Sequence, residues 1–297
     1  MKIKGIILLG GFVLIAITAF VKCSFNNKTQ RVDNTFPGDY DFAVIDTTGQ
    51  ANKSFIYYYD NSGKLLYEKA INMGYMGDTF SFPLVYNNKI YVTPWGTDLE
   101  RDLSVVLEMD MESEDLRTYD TTLHSINSLA VSDKYFFTVN TINAVTTLAR
   151  TDRATLDTVT KEWQDYIIGK LAVFEDVLYA FGCSLTDMKS ELIEIDIDTM
   201  EIIKAHDLEE FGDSPADSAL LDEGNFYFTL PYKDNSPNDI LTVLDTKTDK
   251  IREIKLPEAS PSQLIKYKKY IIISHVDNVM NEGSSLSILD TETGEIV

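Results

Sequence analysis

Few side chains in this 297-residue chain have reactive chemistry to offer: three histidines, two cysteines and a large surplus of carboxylates. His124, His206 and His275 stand far apart, and none sits in a metal-binding spacing such as His-Glu-x-x-His. No Gly-x-Ser-x-Gly elbow and no glycine-rich phosphate loop occurs, which disfavours hydrolase and nucleotide chemistry. A more regular pattern is carried by oxygen ligands. Asp98, Asn143, Asp187, Asp234 and Asn278 each follow an aromatic or aliphatic strand residue (Tyr91, Phe136, Tyr179, Tyr227, Ile271) by seven or eight positions, and Asp277 stands beside the last. If they converge, they form a ring of oxygens. Hard cations such as Ca²⁺ take that kind of ligand, which makes Asp98, Asp187, Asp234 and Asp277 the metal candidates, and a negative mouth would also draw in a cationic peptide or polyamine. The alternative is that each side chain closes its own loop as an Asx-turn.

Charge narrows the partners. Against 26 Lys and Arg stand 47 Asp and Glu, a formal charge of −21, so phosphate backbones are repelled and nucleic acid is not an expected partner. The hydrophobic fraction of 44% and the charged fraction of 25% are those of an ordinary globular protein. The N-terminus departs from this average. Lys2 and Lys4 precede an uncharged apolar run over residues 5–21, the pattern of an export signal or, at the short limit of length, of a membrane anchor. Cys23 lies just after the run, where bacterial lipoproteins carry an acylated Cys, although Phe20-Val21-Lys22 lacks the small residues of a lipobox. Cleaved signal, anchor and lipoprotein all place the remainder outside the cytoplasm. Residues 1–28 carry four Lys and no acid, which leaves 22 basic against 47 acidic residues beyond them, a charge of −25. Cys23 and Cys183 are too distant to suggest a disulfide framework, and Cys183 reads as a buried hydrophobe.

The elements that must position these side chains are repeats of about 45 residues. Alternating strands end in Asp at Asp110, Asp196, Asp245 and Asp290, with a hydroxyl three residues later (Ser113, Thr199, Thr248, Thr293). An aliphatic residue six positions after the Asp (Leu116, Ile202, Ile251, Ile296) opens the next strand. A weaker copy ends at Asp152, and another surrounds Ser62-Gly63 with Tyr59 in the Asp position, so the six copies stand at 59, 110, 152, 196, 245 and 290. Between them recurs a second hairpin, turning at Asn87-Asn88, Ser132-Asp133, Glu175-Asp176, Glu223-Gly224 and Lys268-Lys269. Two hairpins per period give four strands per repeat, the signature of an all-β propeller.

The turns Asp60-Asn61-Ser62-Gly63-Lys64 and Asp290-Thr291-Glu292-Thr293-Gly294 resemble the strand-Asp-x-x-Thr-Gly-Lys-strand repeats of the quinoprotein-like and YVTN-type propeller superfamily, over roughly residues 40–297. The resemblance implies the fold. It does not bring quinone binding with it, because the repeated Trp of quinone-docking propellers is missing and only Trp95 and Trp163 exist.

The expected organisation is an export or anchor segment (1–23), a linker or closing strand (24–39) and a propeller of six blades (40–297), or of seven if the chain is a fragment. In such a ring the second-to-third-strand loops and the inter-blade loops share one face. Trp95, Cys183, Tyr232 and His275 are assigned to the former and Tyr75, His124 and Trp163 to the latter, so that face is the expected binding site. The function expected is a monomeric, envelope-associated binding module without chemistry, for a protein, peptide or small ligand. The alternative is a cation-dependent lyase or oxidoreductase-like enzyme, with His275 and Asp277, or His124, as general-base candidates, because some propeller lyases pair such a base with a bound cation.

Overall fold

The structure is a computed structural model that describes residues 5–8, 36, 38–50, 53–71, 73–76, 83–96, 103–113, 115–276 and 283–297. These form six four-stranded sheets arranged as the blades of a β-propeller, with two short two-stranded ribbons attached. Among the described residues no helix is long and apolar enough to cross a membrane. Cys23 and most of the apolar run that suggested export lie outside the described residues.

Blade 3 shows the common plan. Its strands Ser128–Val131, Tyr135–Ile142, Val145–Asp152 and Thr158–Gln164 are antiparallel neighbours in chain order. Blade 4 repeats this with Tyr166–Phe174, Val177–Ser184, Ser190–Asp196 and Ile202–Asp207, and blade 5 with Ser218–Asp222, Asn225–Thr229, Ile240–Asp245 and Lys250–Lys255. Blade 2 is Leu84–Tyr86, Lys89–Val92, Val105–Asp110 and Leu116–Asp120. Blade 6 is Pro261–Tyr267, Tyr270–Val276, Gly283–Asp290 and a last strand of two residues, Glu295–Ile296. Blade 1 departs from the plan. Its Phe42–Asp46, Ser54–Tyr59 and Leu65–Ile71 are antiparallel, but its first strand is Gly5–Leu8, paired parallel to Phe42–Asp46. The apolar N-terminal residues thus supply backbone partners to a sheet edge that would otherwise be bare.

The two turn series occur where the repeat requires them. At Asn87 and Asn88 (φ 46° and 60°) and at Glu223 and Gly224 (φ 49° and 84°), both central residues have positive φ, the geometry that matches the twist of a two-residue hairpin. At the third-to-fourth hairpins one carboxylate oxygen accepts two backbone amides. Asp110 Oδ1 accepts from Glu112 and Ser113 at 2.8 and 2.9 Å, and Asp196 Oδ1 from Asp198 and Thr199 at 3.1 and 2.7 Å. Asp152, Asp245 and Asp290 do the same. In blade 1 the role falls to Asp60 and not to Tyr59, because the register shifts between Tyr58 and Tyr59 and moves the turn by one residue.

The core lies between blades. Period-2 alternation on the second strands sends neighbouring residues to opposite faces. Phe136 packs with Tyr91 and Val106 of blade 2, while Phe137 and Val139 pack with Ile168 and Leu178 of blade 4. Tyr179 and Phe181 meet Phe226 and Phe228 between blades 4 and 5, and Tyr227 meets Ile271 and Ile273 between blades 5 and 6. Each such aromatic or aliphatic side chain contributes roughly 1.5–3 kcal/mol by leaving water.

Buried hydroxyls stitch the inner strands across these seams. Ser54, Thr146, Ser190 and Thr229 donate to the carbonyls of Gly74, Tyr166, Ser214 and Ser262, in the following blade or the segment leading into it, at 2.7, 2.5, 2.8 and 2.8 Å. The amides of Leu171 and Leu264 donate back to Ser128 Oγ and Ser218 Oγ of the preceding blade, at 3.0 and 3.2 Å. Backbone groups that no sheet partner reaches are satisfied in this way.

Candidate functional site

Where the inner strands of blades 2 to 6 converge they enclose a channel of about 1090 Å³. Its wall is largely apolar, with Leu84, Ala130, Ala172, Leu220 and Ile265 contributed by five different blades. Polar groups are interspersed with these. Lys170 stands within an otherwise apolar strand, and Ser128, Ser218 and Gln263 line the same cavity. Next to this wall Asp217 Oδ2 accepts a hydrogen bond from Ser262 Oγ at 3.3 Å. Burial pushes the Asp217 carboxyl above the usual carboxylate range, an effect that the nearby Lys170 charge and the Ser262 hydroxyl only partly offset. At the end formed by the first-to-second-strand hairpins the rim is charged, with Asp133, Lys134, Glu175 and Asp176. Asp133 Oδ1 is held by the Tyr86 hydroxyl at 3.0 Å and by Asn87 Nδ2 at 2.9 Å. Lys266 is ion-paired to Asp222. An apolar cavity with a few fixed polar groups suits non-covalent capture of a ligand.

The loop-face residues proposed from sequence are distributed differently. Trp95 lies in the ribbon that pairs Tyr75–Met76 with Pro94–Gly96, and is half-buried. Tyr232, 42% exposed, lies in the second ribbon, with Asp234 at its turn. Asp234 and Asn235 (φ 52° and 56°) and Asn143 and Ala144 (φ 52° and 65°) are the central pairs of two-residue turns. Asp234 and Asn143 therefore supply backbone conformation that Asp and Asn tolerate well. Asp187 follows Ser184, whose Oγ accepts from Asp187 N at 3.5 Å, and the bond with Ser184 holds the Asp187 carboxyl below its ordinary value. Asp187 and Asp234 are exposed, and they do not converge with a third donor among the described residues. Asp98, Asp277 and Asn278 lie outside the described residues.

Trp163 is not in an inter-blade loop. It belongs to the outer strand Thr158–Gln164, where its ring has Lys161 Nζ at 5.7 Å from the centroid. Cys183 is fully buried. His275 is fully buried too, with Nδ1 at 2.8 Å from the Ala259 carbonyl and Nε2 at 2.8 Å from Ser287 Oγ. The carbonyl can only accept, so Nδ1 donates to it, and with Nε2 held by the Ser287 hydroxyl both ring nitrogens are committed. His124 is exposed, and its Nδ1 lies 2.8 Å from Ser104 Oγ.

Sequence reasoning did not find the channel wall. A signal was present in Lys170, a charge placed inside the strand Tyr166–Phe174, but which strands would be innermost was not readable from it.

No protein-family model matches this chain, and no curated protein sequence does. Two solved structures give the measure of similarity in three dimensions. The β-propeller domain of the Trilobed protease from Pyrococcus furiosus, described with an open velcro topology, is 13% identical with a TM-score of 0.47 over 76% of this chain and 70% of that one. Apo AztD from Citrobacter koseri is 12% identical with a TM-score of 0.42 over 83% of this chain and 66% of that one. The β-propeller fold of this chain rests on its own six four-stranded sheets.

Proposed function

We propose that this protein is an exported, envelope-associated β-propeller that binds a peptide or small ligand in its central channel without transforming it. The channel of about 1090 Å³ carries this reading, since its apolar side chains offer shape and its polar and charged ones orientation. Lys2, Lys4 and the apolar run that follows support export, with Gly5–Leu8 joining blade 1 only in a chain that keeps this segment, and the Asp and hydroxyl turn repeat supports grouping with the quinoprotein-like and YVTN-type propellers.

The test is a thermal-shift panel of short neutral and cationic peptides and small ligands on the full chain, since a ligand selective for the folded state raises the melting midpoint. Ligands that stabilise the protein are expected to lose their effect in Ala172→Trp, which narrows the channel, and to keep it in Asp187→Asn on the loop face. A ligand indifferent to Ala172→Trp would move the site elsewhere.

A second reading, an enzyme on the loop face, is favoured by one observation, the Ser104–His124 hydroxyl–imidazole pair at 2.8 Å. Turnover of any substrate that is abolished by Ser104→Ala and His124→Gln would establish that reading in place of the first.

A further inference from the structure

A cluster on the outer side of the ring has donor chemistry that neither the channel nor the loop face uses. Glu194 on the third strand of blade 4, His206 on its fourth strand and Asp249 in the third-to-fourth turn of blade 5 bring three ligand atoms within 4.8 Å of one another. His206 Nε2 is the common apex, 2.6 Å from Glu194 Oε1 and 3.4 Å from Asp249 Oδ1. The imidazole is buried and Glu194 nearly so, while Asp249 is open to solvent. The ligands therefore come from two blades, two of them rigid strand positions and the third an accessible turn.

The equivalent position in blade 2 shows what such a carboxylate requires. Glu108 pairs across the sheet with Tyr91 as Glu194 does with Tyr179, so the two occupy the same site in blades 2 and 4. Glu108 is neutralised by two fixed cations, Lys89 and Arg153, the latter at 3.1 Å. At Glu194 no lysine or arginine ion pair stands in for them among the described residues; a histidine does. A second carboxylate, Asp249, joins the cluster, and Lys204 engages its other oxygen. Two carboxylates and one ammonium carry an excess of one negative charge, which a divalent cation bound at the imidazole nitrogen would more than offset.

We propose that Glu194, His206 and Asp249 form a Zn²⁺ site that ties blade 4 to blade 5. One imidazole nitrogen and two carboxylate oxygens are a zinc donor set with a fourth position left for water, whereas Ca²⁺ prefers six to eight oxygens and Mg²⁺ an oxygen octahedron. With zinc–ligand bonds near 2.0–2.2 Å, tetrahedral ligand atoms lie about 3.3 Å apart. The Asp249–His206 spacing already fits, and Glu194 must retreat by about 0.7 Å as the Nε2 proton leaves and the metal takes its place.

The experiment is a Zn²⁺ titration of the tag-free full chain against a competing chromophoric chelator. One equivalent is expected, with affinity reduced by about tenfold or more in His206→Gln and in Asp249→Asn and unchanged in Asp234→Asn. Asp249 has φ 60°, a conformation that Asn accepts, so this variant keeps its turn. X-ray absorption at the zinc edge of the unmodified protein is a readout independent of any variant: it should show imidazole and oxygen scatterers and no sulfur. Absence of a bound equivalent, undiminished affinity in both ligand variants, or a sulfur shell from cysteine would each overturn the site.

Discussion

At the residue scale, the turn aspartates illustrate how a local chemical requirement repeats through a chain. Asp196 accepts two amides and the Thr199 hydroxyl, at 3.1, 2.7 and 2.9 Å, through a single oxygen. Asp196→Ala is expected to lower the thermal midpoint, and Asp196→Asn, which keeps an acceptor, to lower it less. Equal midpoints for the two variants would show that the turn holds without the bonds. Glu108 is the more consequential carboxylate because it is 2% exposed. Burial alone would raise its titration, but Lys89 and the hydroxyls of Tyr91 and Tyr119 outweigh it and hold the carboxyl below its ordinary value. Arg153 reaches from blade 3 to this carboxylate and also lies over the Phe136 ring at 5.0 Å. Arg153→Ala removes one partner of a buried pair, so chemical denaturation should report a loss of about 3 kcal/mol. A loss within about 0.5 kcal/mol would mean that Lys89 suffices and that the bridge between blades contributes little.

At the element scale, what the sequence made legible depended on whether the constraint was local. Hairpin turns at Asn87-Asn88 and Glu223-Gly224 announced themselves because few residues accept positive φ, and the Asp turns because their bonds span three or four residues. Outer strands were harder to delimit. Thr158–Gln164 alternates between half-buried and exposed positions with no apolar stripe, so nothing in its pattern separated Trp163 from a loop. The seams between blades were invisible, since Ser128, Thr146 and Ser190 look like any strand hydroxyl until the next blade is set against them. The Glu194–His206–Asp249 cluster was missed for the same reason, with 55 residues separating its ends. Seam packing can be tested at Gly169, which lies at an irregularity between Ile168 and Lys170. A Cβ there would meet the Ala216 carbonyl at 2.7 Å and Pro215 Cβ at 2.9 Å, both from the approach to blade 5. Gly169→Ala should therefore destabilise the protein by about 1–3 kcal/mol as blades 4 and 5 are pushed apart. No loss of stability would show that the seam is looser than drawn.

At the scale of the whole molecule, charge sets the response to pH. With a net charge of −21 the folded chain repels itself at neutral pH, and partial protonation relieves that repulsion. Asp217 acts in the same direction. Its folded titration is raised, so its ionised form costs stability at neutral pH, and that cost disappears as pH falls through the raised value. Asp60, Asp152, Asp196 and Asp245 act oppositely. Their folded titrations are lowered by turn hydrogen bonds, so their contribution is present above the unfolded value of about 3.9 and is lost as pH falls through the folded values below it. The melting midpoint should accordingly rise from neutral to weakly acidic pH and fall below about pH 4. A midpoint that keeps rising into stronger acid would contradict the role given to the turn aspartates. The same ring of blades that produces this balance also encloses the channel, and the functional account depends on whether ligands enter it. Photocrosslinking tests this most directly, with a benzophenone side chain placed either at Ala172 on the channel wall or at Val159, 46% exposed on an outer strand, in cells producing the full chain. The account predicts a defined adduct at Ala172 that a stabilising ligand from the thermal-shift panel competes away, and none at Val159. Adducts at Val159 with none at Ala172 would contradict it and place recognition on the outer surface.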